Sequence, residues 1–397
     1  MAREGQSALG VLFSWGFRPF FFAAGLYAGF GIVAWLLTVT AIWSPDGRLG
    51  GSLWHGHEML FGFAMAVVAG FFLTAVPNWT GLPRVQGGFL MVLVAAWLAG
   101  RLAIWSGDRL PDLGVMALDG AFLPLLLVTA AWFILAKRNF RQAPLLVVLL
   151  FLAASNVVFH LQVADLIDGD PGRTLLAAVD AVVLLIAVIG GRIVPSFTAN
   201  MLRARGSEAE VRLRPPVDIG ALVLTAVLLP LDWWGGVEEL TAHIALIAGA
   251  LHFWRLFGWQ GHRTIGQPIV WVLHLGYGWL AAGLMIRGLA PMVGDLSATA
   301  AMHGLTIGAI GTMTLAVMSR AALGHTGRPL KAPSALWLAY LAPSFAVVLR
   351  LGADIGPGDH YATLMALSGA SWTAGFVLFL LIYAPILLGP ARVPESS

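Results

Sequence analysis

The sequence predicts an all-α, polytopic membrane protein of about twelve spanning helices, and three observations carry that reading. Of the 397 residues, 59% are hydrophobic and only 11% charged, with a mean hydropathy of +0.84; a soluble domain carries roughly 25% charged residues. The apolar residues gather in runs near the ~20 residues that a helix needs to cross a hydrocarbon core. The charges fall between those runs and are sorted by sign from one loop to the next.

The runs place spans at roughly 17–42, 55–76, 87–105, 115–136, 143–165, 173–198, 216–234, 240–257, 268–288, 298–319, 333–352 and 362–388, in one integral-membrane domain over residues 1–397. The loops confirm the count by alternating. Asp46 follows span one, Asp108 and Asp112 follow span three, Asp165, Asp168 and Asp170 follow span five, and Asp232, Glu238 and Glu239 mark the end of span seven. Asp295, Asp354 and Asp359 continue that acidic side. On the side of the termini stand Lys137, Arg138, Arg141, Arg203, Arg205, Arg212, Arg214, Arg263, Arg328 and Lys331. Basic loops stay in the cytoplasm, so both termini are expected there. Trp43, Trp54, Trp105, Trp233 and Trp234 sit at outer span ends, where aromatic belts form. Arg3, Glu4, Gln6 and Ser7 precede any apolar core, which argues against a removable signal peptide.

The composition also excludes chemistries. With no cysteine, disulfides, thiolate copper sites, iron–sulfur clusters and covalently attached haem are ruled out. Any metal must be held by His, Met, carboxylate or backbone. The pI of 9.6 does not point to nucleic acid, because the net charge is only +3 and the basic residues are scattered over short loops.

The chain repeats itself. His57, Gly62, Thr80-Gly81 and Pro83 return 246 residues later as His303, Gly308, Thr326-Gly327 and Pro329. A weaker echo links Val76 to Thr80 with Val194 to Thr198, so spans two, six and ten suggest three four-helix units. Gly25 and Gly29, and Gly304 and Gly308, have the small-xxx-small spacing of close helix contacts.

Histidine and carboxylate are expensive in lipid, which makes them functional candidates there. At about 1.5 Å per residue, His55, His57, His160, His243 and His303 fall near the acidic face, with Glu58, Asp119 and Asp180 in the same outer third. The expectation is one metal site of His55, His57, His160 and His303, with those carboxylates orienting rings or passing protons. Residues two apart do not share a helix face, but at a helix entrance with Gly56 between them His55 and His57 are expected to converge. Deeper toward the cytoplasm, His252 and His274 lie equally far from the turn near Gly261. That placement suits axial ligation of a b-type haem, with Arg255 and Arg263 as propionate partners.

Each residue also has a plain structural reading. A lone intramembrane His is often a helix–helix hydrogen bond. His243, His262, His325 and His360 read as loop or helix-end residues. Met59 and Met302 read as core packing, and Arg101, Arg287 and Arg350 as snorkelling side chains.

The sequence resembles a known family in Gly16-Phe17-Arg18-Pro19-Phe20-Phe21, in Trp54 through Gly62, in Gly70 through Gly81, in Asn156 to His160, in Leu273-His274-Leu275-Gly276-Tyr277, and in His303 through Leu330. That family is NnrS. The resemblance covers nearly the whole chain in order. It implies a twelve-helix bacterial inner-membrane protein containing haem b and copper, associated with nitric oxide metabolism, denitrification and resistance to nitrosative stress. Carried over by position, His55, His57, His160, His252, His274, His303 and His325 match motif histidines. The resulting expectation is a metalloprotein that binds nitric oxide and reduces it, with Glu58, Asp119 or Asp180 as proton donors and an unidentified electron donor. Two other readings stand beside it: a proton-coupled transporter, and a haem-based nitric oxide sensor or metal-handling protein without turnover.

Overall fold

The computed structural model describes residues 7–44, 49–356 and 358–392; Arg3, Glu4, Gln6 and Asp46 lie outside them. Among the described residues there is no strand, and twelve helices are long and apolar enough to cross a membrane. They are α1 Phe17–Val39, α2 Gly51–Thr80, α3 Gly87–Trp105, α4 Asp112–Ala136, α5 Phe140–Val163, α6 Pro171–Ala204, α7 Pro215–Trp234, α8 Glu238–Phe257, α9 Pro268–Met292, α10 Ala298–His325, α11 Leu336–Ile355 and α12 Gly358–Leu388. The chain is a multi-pass membrane protein. Lipid offers no partner for backbone N–H and C=O, so each span satisfies them along its own axis.

The helices run past several expected ends. α2 reaches back to Gly51 and on to Thr80, and α10 continues to His325. Hydropathy marks where the chain meets lipid, whereas a helix stops where its last carbonyls are capped. For α2 that cap is Gly81, at φ +68°, whose N–H donates to the Pro77 carbonyl at 2.8 Å. Gly accepts this left-handed conformation without a Cβ clash.

The described helices form two compact units. The first comprises Met1–Ala178, Met318–Leu330 and Phe379–Ser397, and the second Val179–Val317 and Lys331–Leu378. In the first, α2 packs on α1 and α4, and 83% of its apolar window is buried. Phe30, Leu102 and Val128 instead point outward, more than half exposed, as lipid-facing residues do. In the second unit, α7, α8 and α9 pack in succession and α9 packs on α10.

Small residues permit that packing, and Gly304 is one of those that the sequence marks. A Cβ on Gly283 of α9 would lie 2.7 Å from the Gly304 carbonyl carbon of α10. One on Gly249 of α8 would lie 2.8 Å from the Ala281 carbonyl oxygen of α9. Without a hydrophobic drive between helices in lipid, such backbone approach is what holds them.

The two-copy repeat is visible in backbone conformation. α2 changes from α to π geometry over Glu58–Ala64, directly after His57. α10 changes in the same way over Gly304–Gly311, directly after His303. Gly81 and Gly327 then take nearly equal positive φ, +68° and +67°. The third proposed copy, α6, shares an internal proline with α2, Pro195 matching Pro77, but it is α-helical throughout.

Aromatic residues at span ends do more than line an interface. Trp54 is 1% exposed and meets Trp105 edge-on at 5.1 Å, while Trp43 stacks on Trp105 at 5.4 Å. Trp234 is the belt-like case, at 78% exposed.

Replacing Gly283 by alanine should overpack the α9–α10 contact at a cost of about 1–3 kcal/mol, seen as a lower melting temperature in detergent. Gly294, whose Cβ would meet nothing within 4 Å, should tolerate alanine and serves as the control.

Candidate metal centre

The π segment follows His57 and begins at Glu58, and both residues are 0% exposed. π-type widening inside an α-helix often accompanies functional positions. His57 Nδ1 lies 3.0 Å from Glu58 Oε1, and its Nε2 lies 3.2 Å from both Asp119 Oδ2 and Asn156 Oδ1. His160 Nε2 lies 2.9 Å from the same Asp119 Oδ2. Two imidazoles from α2 and α5 thus aim a ring nitrogen at one carboxylate oxygen from α4. His57, Asp119 and His160 are the one group of three or more such side chains, among the described residues, whose potential ligand atoms all lie within 4.8 Å of one another.

Arg101 of α3 closes the cluster. Its Nη1 donates to Glu58 Oε1 and its Nη2 to Asp119 Oδ1. The Tyr27 hydroxyl of α1 donates to Glu58 Oε2 and accepts from Trp105 Nε1 at 2.8 Å. Gly100 makes this possible, since a Cβ there would stand 2.7 Å from Asp119 Oδ1. Gly62 does the same for the Tyr27 ring, which a Cβ would approach to 2.5 Å. Phe159 and Phe61 cover His57 at 4.9 and 5.0 Å between ring centres.

The charge balance is informative. Two carboxylates and one guanidinium leave an excess negative charge in a dry site, and burying it unbalanced is costly. A cation held between the two imidazoles and Asp119, or a proton, restores neutrality.

Arg101, at 4% exposed, does not snorkel as expected. Nor does Arg287. Arg287 in the second unit donates to Asp180 at 2.9 Å and to both oxygens of Asp232 at 2.6 Å. Arg350 pairs with Asp354 at 2.6 Å. Acids on neighbouring helices draw Arg101 and Arg287 inward, whereas Arg350 reaches toward the end of its own helix, as expected. Arg101 and Tyr27 are the site residues that the sequence reading missed. The signal was available in Glu58 and Asp119, two acids at one depth that require a cation.

Other candidates take different surroundings. His55 stacks on Trp35 at 4.5 Å and stands outside the group, because on the α-helical turn Gly51–His57 residues two apart point roughly 200° apart. The expected convergence with His57 therefore does not occur. His303, in the second unit, donates from Nδ1 to the Thr299 carbonyl at 2.7 Å. His243 does the same to Glu239 at 2.7 Å, in keeping with its structural reading. His325 lies beside the Trp15 and Phe17 rings.

His252 and His274 also differ from each other. Both ring nitrogens of His252 are engaged, Nε2 with Thr225 Oγ1 at 2.9 Å and Nδ1 with the Tyr277 hydroxyl at 2.8 Å. Arg255 is bound to Asp218 at 2.7 Å and to Tyr277, so its guanidinium already has a carboxylate. Arg263 is exposed on the α8–α9 turn. His274 meets Thr198 Oγ1 through Nε2 at 2.8 Å, while its buried Nδ1 has no hydrogen-bond partner. It lines a wide-open apolar groove of about 460 Å³ with Phe253, Trp271, Trp279 and Leu341.

Comparison with known families matches the family described as NnrS protein over residues 11–391. No curated protein matches the chain.

Substituting Arg101 by Gln strands two buried carboxylates and should cost about 3–5 kcal/mol of stability, read by thermal or chemical unfolding in detergent. Adding Glu58→Gln should recover part of that loss. An equal loss in the single and double variants would show that Arg101 does not act through this charge.

Proposed function

From the chain's membership of the NnrS family, we propose a haem- and copper-containing protein of the bacterial inner membrane that binds nitric oxide and reduces it, with both termini cytoplasmic. The observation that carries this reading is the convergence of His57, His160 and Asp119 on one buried point. Two imidazole nitrogens and a carboxylate oxygen, with no sulfur, suit Cu(II) and also divalent iron. Copper is assigned to this set.

For b-type haem the residues fit at His274. It offers a ring nitrogen without a partner beside an open apolar groove, a surface on which an apolar macrocycle can lie. His252, with both nitrogens occupied, supports Tyr277 and Arg255 instead. Bound metals supply an open position for nitric oxide and electrons from an external donor.

The chain's own residues do the rest. Glu58 accepts from His57 Nδ1 and so fixes which ring nitrogen faces the metal position. Two molecules of nitric oxide become nitrous oxide and water by taking up two electrons and two protons. Glu58, held by Tyr27 and Arg101, is the acid placed to deliver protons beside His57. Phe61 and Phe159 exclude water from that ring.

One observation favours the transport reading: the Asp180–Arg287–Asp232 cluster resembles the buried ion pairs that mark proton paths. A transporter needs no haem, so a visible spectrum separates the two. A sensor would bind haem without turnover, so anaerobic consumption of nitric oxide by dithionite-reduced protein separates that one.

Protein expressed with haem and copper should carry one copper per chain by elemental analysis. His57→Ala, His160→Ala and Asp119→Asn should each abolish it, and Glu58→Gln should weaken metal affinity about 10–100-fold. His274→Ala should remove haem absorbance and leave copper in place. Retention of copper by all three ligand variants would end the assignment.

A further inference from the structure

Two motifs remain without a role, Gly16–Phe21 and Leu323–Leu330. They meet in the first unit. The His325 ring lies 4.9 Å from Trp15 and 5.8 Å from Phe17. Arg84 covers Trp15 at 4.8 Å, and Arg18 lies 5.7 Å from the Phe17 ring centre. Among the described residues Arg18 meets the charges of Arg84 and Arg328, and Arg328 that of Arg392, whose backbone N–H donates to the Thr326 carbonyl at 2.9 Å. Four arginines therefore gather here. Among the described residues, none of them pairs with a carboxylate.

Their hydrogen bonds are only partly filled. Arg18, 3% exposed, gives Nη1 to the Leu387 and Gly389 carbonyls, both at 2.7 Å. Arg328 Nη2 reaches the Pro390 carbonyl at 3.3 Å, and Arg84 Nε reaches Gln86 at 3.2 Å. Three buried donors, Trp15 Nε1, Arg18 Nε and Arg328 Nη1, have no acceptor. A buried donor left unsatisfied is destabilising, and four like charges add repulsion. An anion removes both penalties.

The four arginines mark span ends: the first turn of α1 and the segments after α2, α10 and α12. Span ends meet lipid headgroups, and the guanidinium fork matches phosphate oxygens in pairs. We propose that Arg18, Arg84, Arg328 and Arg392, with Trp15, bind the phosphate of an anionic phospholipid. His325 packs within the site. This assignment is independent of the metal chemistry.

The test uses the full chain purified in detergent, with bound lipid counted by native mass spectrometry. Phosphatidylglycerol should bind at least about tenfold more tightly than phosphatidylcholine, since anionic headgroups are attracted by each nearby arginine. Arg84→Gln with Arg328→Gln spares the contacts that Arg18 makes to the end of α12 and should weaken phosphatidylglycerol binding by about 10–30-fold. Arg84→Gln alone, at an exposed position, should lose part of that affinity even if the double variant fails to fold. Equal binding of the two lipids, or wild-type affinity in both variants, overturns the site. Displacement of the lipid by millimolar inorganic phosphate or nitrite would assign the site to a free anion and overturn the lipid assignment.

Discussion

The pairing of buried acids with buried arginine is the constraint on which the polar interior of this protein depends. In lipid an isolated carboxylate is not tolerated, and removing it from water is repaid only by a partner with good geometry. Arg101 meets that need for Glu58 and Asp119, and Arg287 for Asp180 and Asp232. In each cluster one cation serves two acids. With both acids ionised each cluster would carry one negative charge in excess, which is the electrostatic condition for holding a proton or a metal ion. Only the first has imidazoles aimed at a carboxylate, which is why the metal proposal rests there.

Backbone geometry serves the same end. Arg101 reaches its two acids from α3 because Gly100 lets α4 approach, and Tyr27 reaches Glu58 because Gly62 leaves room for its ring. These glycines sit where a single methyl group would collide with the residues that balance the charge. The site and the helix packing are thus one problem, and sequence changes at either glycine act on both.

The spans were legible because the bilayer imposes a length and a composition on every segment that crosses it. Depth was legible too, since a helix rises uniformly, and it placed His57, His160, Glu58 and Asp119 together. Rotation about the helix axis was not. α3 and α8 are apolar on several sides, so no polar face reveals which way Arg101 or His252 points. Equal height made His252 and His274 look like a ligand pair, yet His252 is turned to Thr225 and Tyr277. His55 fails for the same reason: it has the right depth and the wrong azimuth. Arg101 looked like an anchoring side chain because its distance from the helix end is all that a sequence gives.

The repeat shows how scaffold and chemistry separate. Both copies keep a histidine, a π segment directly after it and a positive-φ glycine past the helix end. The acid is not kept: the position of Glu58 in the first copy is Gly304 in the second. With glycine instead of an acid next to it, His303 turns its Nδ1 back to the Thr299 carbonyl, whereas His57 uses its Nδ1 on Glu58 and directs Nε2 toward Asp119. The histidine and the π segment are thus common to both copies and Nδ1 is engaged in each; what differs is its acceptor, a carboxylate in the first copy and a backbone carbonyl in the second. In the second unit the buried acids come instead from α6 and α7, Asp180 and Asp232, and they bind Arg287 with no imidazole in the contact. One helix design has been used twice, and only the copy with an adjoining carboxylate and a facing His160 assembles the donor set of a metal centre.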